Sequence, residues 1–383
     1  MAIGAALLTA CGGDGASSGS SGGETSSGAG SASEAPTTGG TGGTDGTGVT
    51  VTAGTSEGSG ETGPATTDTG SSEGTDGPPP LPFECGAFTP GDDLTVCTAT
   101  YLGGPGGDAP GGVDVGPDGA VLVGGSFPGR AFADEGTDGD GVVLRLTADG
   151  RQVAAARRFT SEVRGLEVAW PGGQVAVATA DSVALLPAGL GAPLWTAAVD
   201  GSARVSVGGD GTVAALHGAQ IAVFDAQGAA LGDFAVSGTR IDDLAVHAAS
   251  QSVLATGYRQ SDVGACQQYK STFIRSYAYD GTLKWTNYDW DGTEVDDTED
   301  CADSEGKGLA IGRDGALYYA AKSDGGNTVH RKHPRDLQTM VDNVAYDPYN
   351  TGYGFKGANA LGYYARFDPA TGEHLGGQFL LAR

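Results

Sequence analysis

Short alternations of apolar and polar residues, broken by glycine turns, run through most of this chain after residue 110. Val113-Asp114-Val115 leads through Pro117-Asp118-Gly119 to Val121-Leu122-Val123. Leu166-Glu167-Val168 leads through Pro171-Gly172-Gly173 to Val175-Ala176-Val177. Val205-Ser206-Val207 turns at Gly209-Asp210-Gly211 toward Val213, and Leu244-Ala245-Val246 crosses a longer polar turn to Val253. Leu309-Ala310-Ile311 turns at Arg313-Asp314-Gly315 into Leu317-Tyr318-Tyr319. Period-2 patterning predicts strands, because successive side chains point to opposite faces. An Asp-Gly or Gly-Gly pair between two such runs predicts a hairpin. The tight turn needs positive φ, which glycine adopts without a Cβ clash.

A second hairpin follows each of these. They are Val142–Leu146 with a turn at Asp149-Gly150, Val183–Leu186 with Gly191 before Trp195, and Ile221–Phe224 with Gly228. The last two are Phe273–Tyr277 with Asp280-Gly281 before Trp285, and Tyr363–Phe367 with Gly372. The anchors Val115, Val168, Val207, Val246 and Ile311 step by 53, 39, 39 and 65 residues. A unit near 40 residues with four short strands predicts an all-β fold, a β-propeller with five to six blade-like units, or a larger ring cut short at Arg383. The larger steps hold loop insertions. A β-sandwich or an open β-solenoid would also satisfy the pattern. No segment sustains a helical period.

Residues 98–124 give the unit a more specific form. Thr98-Ala99-Thr100-Tyr101-Leu102-Gly103-Gly104, then Gly107-Asp108, Val113-Asp114-Val115, Asp118-Gly119 and Val121-Leu122-Val123-Gly124 resemble one unit of the bacterial SBBP (seven-bladed β-propeller) repeat family. Val143–Gly150 and Ala278–Trp285 are similar to the second half of that unit, an apolar-basic-apolar strand, an Asp-Gly turn and an aromatic strand. The resemblance covers 98–150 well. Units two to four keep the rhythm and lose the Tyr-Leu-Gly-Gly signature. The last strand, His374–Leu381, is similar to the segment at 98–104.

The first 80 residues lack the pattern altogether. They hold 22 Gly, 12 Ser and 15 Thr, with nine acids and no Lys or Arg. No aromatic residue precedes Phe83. So little apolar surface cannot offset chain entropy, which predicts a disordered linker over 11–80 and a β-propeller-like domain over 81–383. As a Gly/Ser-type coil, residues 12–80 would span roughly 45 Å. Residues 1–10 read as the end of a signal peptide, too short to cross a bilayer as a helix. Leu8-Thr9-Ala10-Cys11 resembles the lipobox of bacterial lipoproteins. That resemblance implies lipidation at Cys11 and a membrane partner reached through the lipid anchor. No basic residue precedes the apolar stretch, so the true start is expected upstream of Met1.

Charge and cysteine content extend this reading. The chain carries 21 Lys+Arg against 47 Asp+Glu, a net −26, which argues against nucleic acid as a partner. Nine of the acids lie in residues 1–80, leaving 38 acids against 21 bases, or −17, for the rest. Setting Cys11 aside leaves Cys85, Cys97, Cys266 and Cys301, an even number that predicts two disulfides. Three pairings are possible; Cys85–Cys97 and Cys266–Cys301 each close a local loop. A metal site is the alternative, without the usual cysteine spacing to support it.

Asp289–Asp300 is the most acidic stretch. Its Asp-x-Asp-Gly start suits a Ca²⁺ loop, with Asp289, Asp291, Glu294 and Asp296 as candidate ligands, although the full EF-hand spacing fails at Thr293. A solvated acidic loop is the simpler reading, and it makes Ca²⁺ the one cofactor to consider. Trp290, inside this insertion, is a candidate for an exposed binding surface, whereas Trp195 and Trp285 read as packing residues between blades. His330 and His333 lie in a basic segment expected to pair with the acidic surface. Gly-x-Ser-x-Gly occurs only within the Ser-rich linker, as at Gly54–Gly58, and no His-Glu-x-x-His or Walker loop is present. The expectation is a monomeric lipoprotein of the cell envelope, anchored to a bacterial membrane, the outer membrane of a Gram-negative cell. Its head, periplasmic or extracellular, would be a non-enzymatic binding module for a protein or glycan. The alternative is a propeller enzyme, a quinoprotein-like dehydrogenase or a hydrolase, with its site in the central channel.

Overall fold

Each apolar alternation becomes a strand and each glycine turn ends one. The computed structural model describes residues 106–129, 135–136, 139–264, 266–298, 300–325, 328–341, 344–345 and 361–380. Sheet one holds β1 (Ala109–Val115), β2 (Val121–Ser126), β3 (Glu135–Gly136), β4 (Gly141–Leu146) and β5 (Val153–Phe159), in the order β1-β2-β4-β5-β3. Sheet two is β6 (Val163–Val168), β7 (Val175–Thr179), β8 (Ser182–Leu186) and β9 (Trp195–Ala198). Sheet three is β10 (Ser202–Val207), β11 (Val213–His217), β12 (Gln220–Phe224) and β13 (Ala230–Ala235). Sheet four is β14 (Arg240–His247), β15 (Ser252–Val263), β16 (Cys266–Ala278) and β17 (Leu283–Asn287). After the five-residue helix α1 (Gly292–Asp296) comes sheet five. It uses β18 (Ser304–Ile311), β19 (Leu317–Ser323), β23 (Leu361–Phe367) and β24 (His374–Leu380). Between β19 and β23 lie the small hairpin of β20 (Lys332–His333) and β21 (Asp336–Met340), then β22 (Val344–Ala345). The four main strands of every sheet pair antiparallel, while β3 and β22 add short parallel edges to β5 and β24. Among the described residues this is an all-β propeller architecture of five successive blades.

Each first strand neighbours the first strand of the next blade, β1 to β6 to β10 to β14 to β18. The middle strands are therefore covered on both faces. Val213 and Ala215 of β11 pack with Val205 and Leu185 toward blade two. Ala214 and Leu216 of the same strand pack with Leu244 and Phe273 toward blade four. This explains why β7 and β11 read as continuous runs of small apolar residues, since neither face can carry a polar side chain cheaply.

Two devices join the blades. The first sits on the innermost strands. A carboxylate oxygen of Asp114 accepts from the Val168 amide at 2.7 Å, and Asp243 Oδ2 accepts from Leu309 N at 2.9 Å. Ser206 Oγ accepts from Val246 N at 2.9 Å, and Glu167 accepts from Val207 N. The second sits at the outer turns. Gly228 is at φ +83, and a Cβ there would lie 2.7 Å from Cγ of Trp195 on the preceding blade. Gly281 is seated the same way on Phe234, and Gly372 on Trp285. Trp195 and Trp285 thus pack between blades, as their sequence positions suggested. Across the blades, the Arg313 guanidinium of blade five lies 3.7 Å from the Trp170 ring of blade two, whose Nε1 donates to Val115 O at 3.3 Å.

Candidate binding groove beside the insertion

The regular blade pattern is broken at blade four. Strands β15 and β16 run on as a long hairpin, paired from Ser252↔Ala278 out to Val263↔Cys266. The residues after β17 then fold back over it. Tyr288, at φ +56, is fully buried, and its amide donates to Pro334 O at 2.8 Å. The helix α1 follows because Asp291-Gly292-Thr293-Glu294 is a capping box. Asp291 Oδ1 accepts from Thr293 N at 2.9 Å and Glu294 N at 3.0 Å, and Glu294 Oε2 accepts from Asp291 N at 2.8 Å. A disulfide between Cys266 and Cys301, with Cα atoms 5.2 Å apart, ties the tip of the hairpin to the end of the insertion.

Two adjoining cavities lie beside this insertion. One, of about 420 Å³, is lined by Trp285, Thr286, Asp289, Trp290, Glu294 and the Pro334-Arg335 turn. The other, of about 290 Å³, lies between Asn287, His333, Val341 and the Gly372–His374 turn, with Pro334 and Arg335 again forming a wall. Arg335 is therefore the partition. Its Nε donates to Thr286 O at 3.1 Å and Asn287 Oδ1 at 2.8 Å, and a terminal nitrogen donates to Thr371 O. Burial draws its pKa down from the usual arginine range. Asn287, itself buried, donates through Nδ2 to Gly372 O at 2.7 Å. The partition is held by both blade four and blade five and cannot move without breaking these bonds.

The acids read as a Ca²⁺ loop have separate roles. Asp289 takes a two-pronged contact from buried Arg275, both bonds at 2.7 Å, and pairs with Arg259 at 2.9 Å. Asp291 and Glu294 make the capping box. Asp296 turns the other way, and its Oδ1 accepts from Cys266 N at 3.2 Å. Trp290, expected to be exposed, is instead only 8% exposed and packs edge-on against Tyr288 at 5.7 Å. Its indole only borders the larger cavity. Cys11, Cys85 and Cys97 lie outside the described residues.

The basic segment also divides. Lys332 pairs with Asp300 at 3.3 Å, as expected of a base beside an acidic loop. His330 instead is fully buried, stacked on Tyr363 at 4.4 Å and edge-on to Tyr288 at 5.1 Å. Burial holds its pKa down at about 3, so the ring is neutral at pH 7. Its Nε2 shares a hydrogen bond with Tyr319 Oη at 3.3 Å, and Tyr319 Oη meets Thr272 Oγ1 at 2.7 Å. His374, on the wall of the smaller cavity, shares a 3.3 Å bond with Tyr363 Oη, and burial lowers its pKa to about 4. Elsewhere, His247 Nδ1 and Ser250 Oγ lie 2.6 Å apart within one short turn. The carboxylate near them, Asp368, instead accepts from the amides of Ala370 and Thr371.

Fold and site together define a β-propeller with a disulfide-pinned insertion beside a groove partitioned by Arg335. No helix among the described residues is long and apolar enough to cross a membrane. No family model and no curated protein matches the chain. Among solved structures, BamB from Moraxella catarrhalis is similar at 14% identity and a TM-score of 0.36, covering 69% of this chain and 74% of that one.

Proposed function

We propose that this chain is a surface-anchored bacterial lipoprotein whose propeller head is a non-enzymatic binding module in the cell envelope. The groove partitioned by Arg335 carries the reading. It is a place where a regular repeat departs from its rhythm, and the departure is braced by a disulfide, a capped helix and the pairing of buried Arg275 with Asp289. Such bracing pre-organises a surface for a ligand and reduces the ordering cost of binding. The mainly polar wall of the larger cavity and the more apolar wall of the smaller one suit a protein loop or a glycan. Leu8–Cys11 supports the anchor, residues 11–80 the spacer and residues 81–383 the head, and the resemblance of 98–150 to an SBBP unit supports a bacterial source. An acylated cysteine with two or more chains gives stable membrane attachment.

The test is binding of the purified full-length chain to glycan and peptide arrays, beside a variant carrying His333→Glu and Glu373→Arg. Both substitutions sit at exposed positions of the groove. Ligands captured by the parent and lost by the variant are the expected result. Capture that is identical for the two chains would move the binding surface elsewhere.

A further inference from the structure

We propose that Cys266, Cys301 and Asp296 form a redox-gated metal site, which binds a thiophilic divalent cation of the Zn²⁺ class once the bridge is reduced. One ligand atom from each of the three residues lies within 4.8 Å of the others. Around a tetrahedral Zn²⁺ with bonds of about 2.0–2.3 Å, ligand atoms stand roughly 3.3–3.8 Å apart. Once the bond is reduced, the two sulfurs must move apart to that spacing and the carboxylate must approach it, side-chain adjustments of roughly an ångström each. Two thiolates and one carboxylate match the ligand preference of that ion, and solvent reaches the half-buried Cys301 side to fill the fourth position.

The three residues are held by contacts that do not depend on the sulfur–sulfur bond. Cys266 opens β16 and pairs with Val263 across the Gly264 turn. Cys301 forms an antiparallel bridge with Thr328. Asp296 ends α1, whose capping box fixes the other end. The Cys266 amide orients the Asp296 carboxylate through the 3.2 Å bond to Oδ1, the kind of outer contact that positions metal ligands. Gly264, at φ +52, leaves the space this carboxylate fills, since a Cβ there would come within 1.9 Å of Oδ2. The sequence hid the site because the cysteines are 35 residues apart and the third ligand is an aspartate from between them.

The chemistry balances with a dithiol as reductant. The dithiol gives two electrons and two protons to the Cys266–Cys301 bond and leaves as its own disulfide. Each freed thiol then loses one proton to the medium as the cation binds. The resting form in an oxidising compartment is the disulfide, and the metal form arises when the chain meets a dithiol.

The experiment takes the full-length chain, reduced with a dithiol and freed of reductant without air. Co²⁺ serves as the spectroscopic probe and Zn²⁺ as its competitor. The expected result is one Co²⁺ per chain with thiolate-to-metal charge-transfer absorption, displaced by Zn²⁺ and absent from the oxidised chain. Cys266→Ser abolishes the band. A chain with both Cys85→Ser and Cys97→Ser keeps it. Asp296→Asn weakens binding by at least about tenfold while the thiolate band persists. The proposal is overturned if the reduced chain takes no metal or loses its β-sheet circular dichroism. It is equally overturned if the band survives Cys266→Ser, or if Asp296→Asn binds as tightly as the parent.

Discussion

Gly228 is fixed by two constraints at once, a φ of +83 and the Trp195 ring where a Cβ would go. Gly315 has only the first, at φ +76, with open space around it. Gly228→Ala should therefore cost about 2–3 kcal/mol and Gly315→Ala about 1 kcal/mol in urea unfolding. Equal costs would show that the seat on the preceding blade contributes nothing. A second residue-scale effect concerns protons. Burial raises the Asp243 carboxyl to about 6, against the accepted Leu309 N–H and the nearby Arg204. The folded state thus holds this proton more tightly than the unfolded chain. Its contribution to stability is complete below pH of about 4 and fades as pH rises through about 6. Asp243→Asn keeps an acceptor and should flatten the pH dependence of the urea midpoint across that window. Glu305 behaves oppositely. Burial alone would raise its pKa, yet bonds from Lys270 and Lys307 outweigh it and bring the group down to about 2. Its contribution is present above about pH 4.5 and fades as pH falls toward about 2. Glu305→Gln should remove that acid-side loss.

Among the elements, the hairpins were legible because alternation and Asp-Gly turns are local signals. Thr212 N to Asp210 Oδ1 at 3.0 Å and Ala316 N to Asp314 Oδ1 at 3.2 Å are the bonds those turns were chosen for. The outer half of the β15–β16 hairpin was not legible. Its alternation stops near Tyr258, and Arg259–Lys270 is too polar to announce strands. Helix α1 was missed for a different reason. Asp289–Gly292 matches the start of a Ca²⁺ loop while Asp291–Glu294 matches a capping box, and the overlap hid the helix start. Asp291→Ala should cost about 1 kcal/mol locally. Faster hydrogen exchange at the Thr293 and Glu294 amides, with the blade strands unchanged, is the expected reading. Trp290 escaped the sequence because the tertiary partner that buries it, Tyr288, sits two residues away in a turn no pattern marks.

At the scale of the whole molecule, repetition builds the scaffold and its interruptions build the site. Four blade-to-blade cores follow one another, from Leu122 with Leu166 to Tyr319 with Tyr288. The first three are built mainly from small and branched apolar residues at period-2 positions, which is why the fold could be read from spacing, and the fourth adds a cluster of aromatic rings. The groove needs Arg335, Asn287 and Gly372 brought from segments far apart in the chain, and no spacing rule links them. The negative charge divides along the same line, with −9 in residues 1–80 and −17 beyond them. The proposed arrangement of anchor, spacer and binding head rests first on Cys11. Metabolic labelling with an alkyne analogue of palmitate, in a bacterial host expressing the chain from its complete start, compares the parent with Cys11→Ala. Label confined to the parent, with the variant released from the membrane fraction, is the expected result. Equal labelling of the two chains, or none in either, would contradict it.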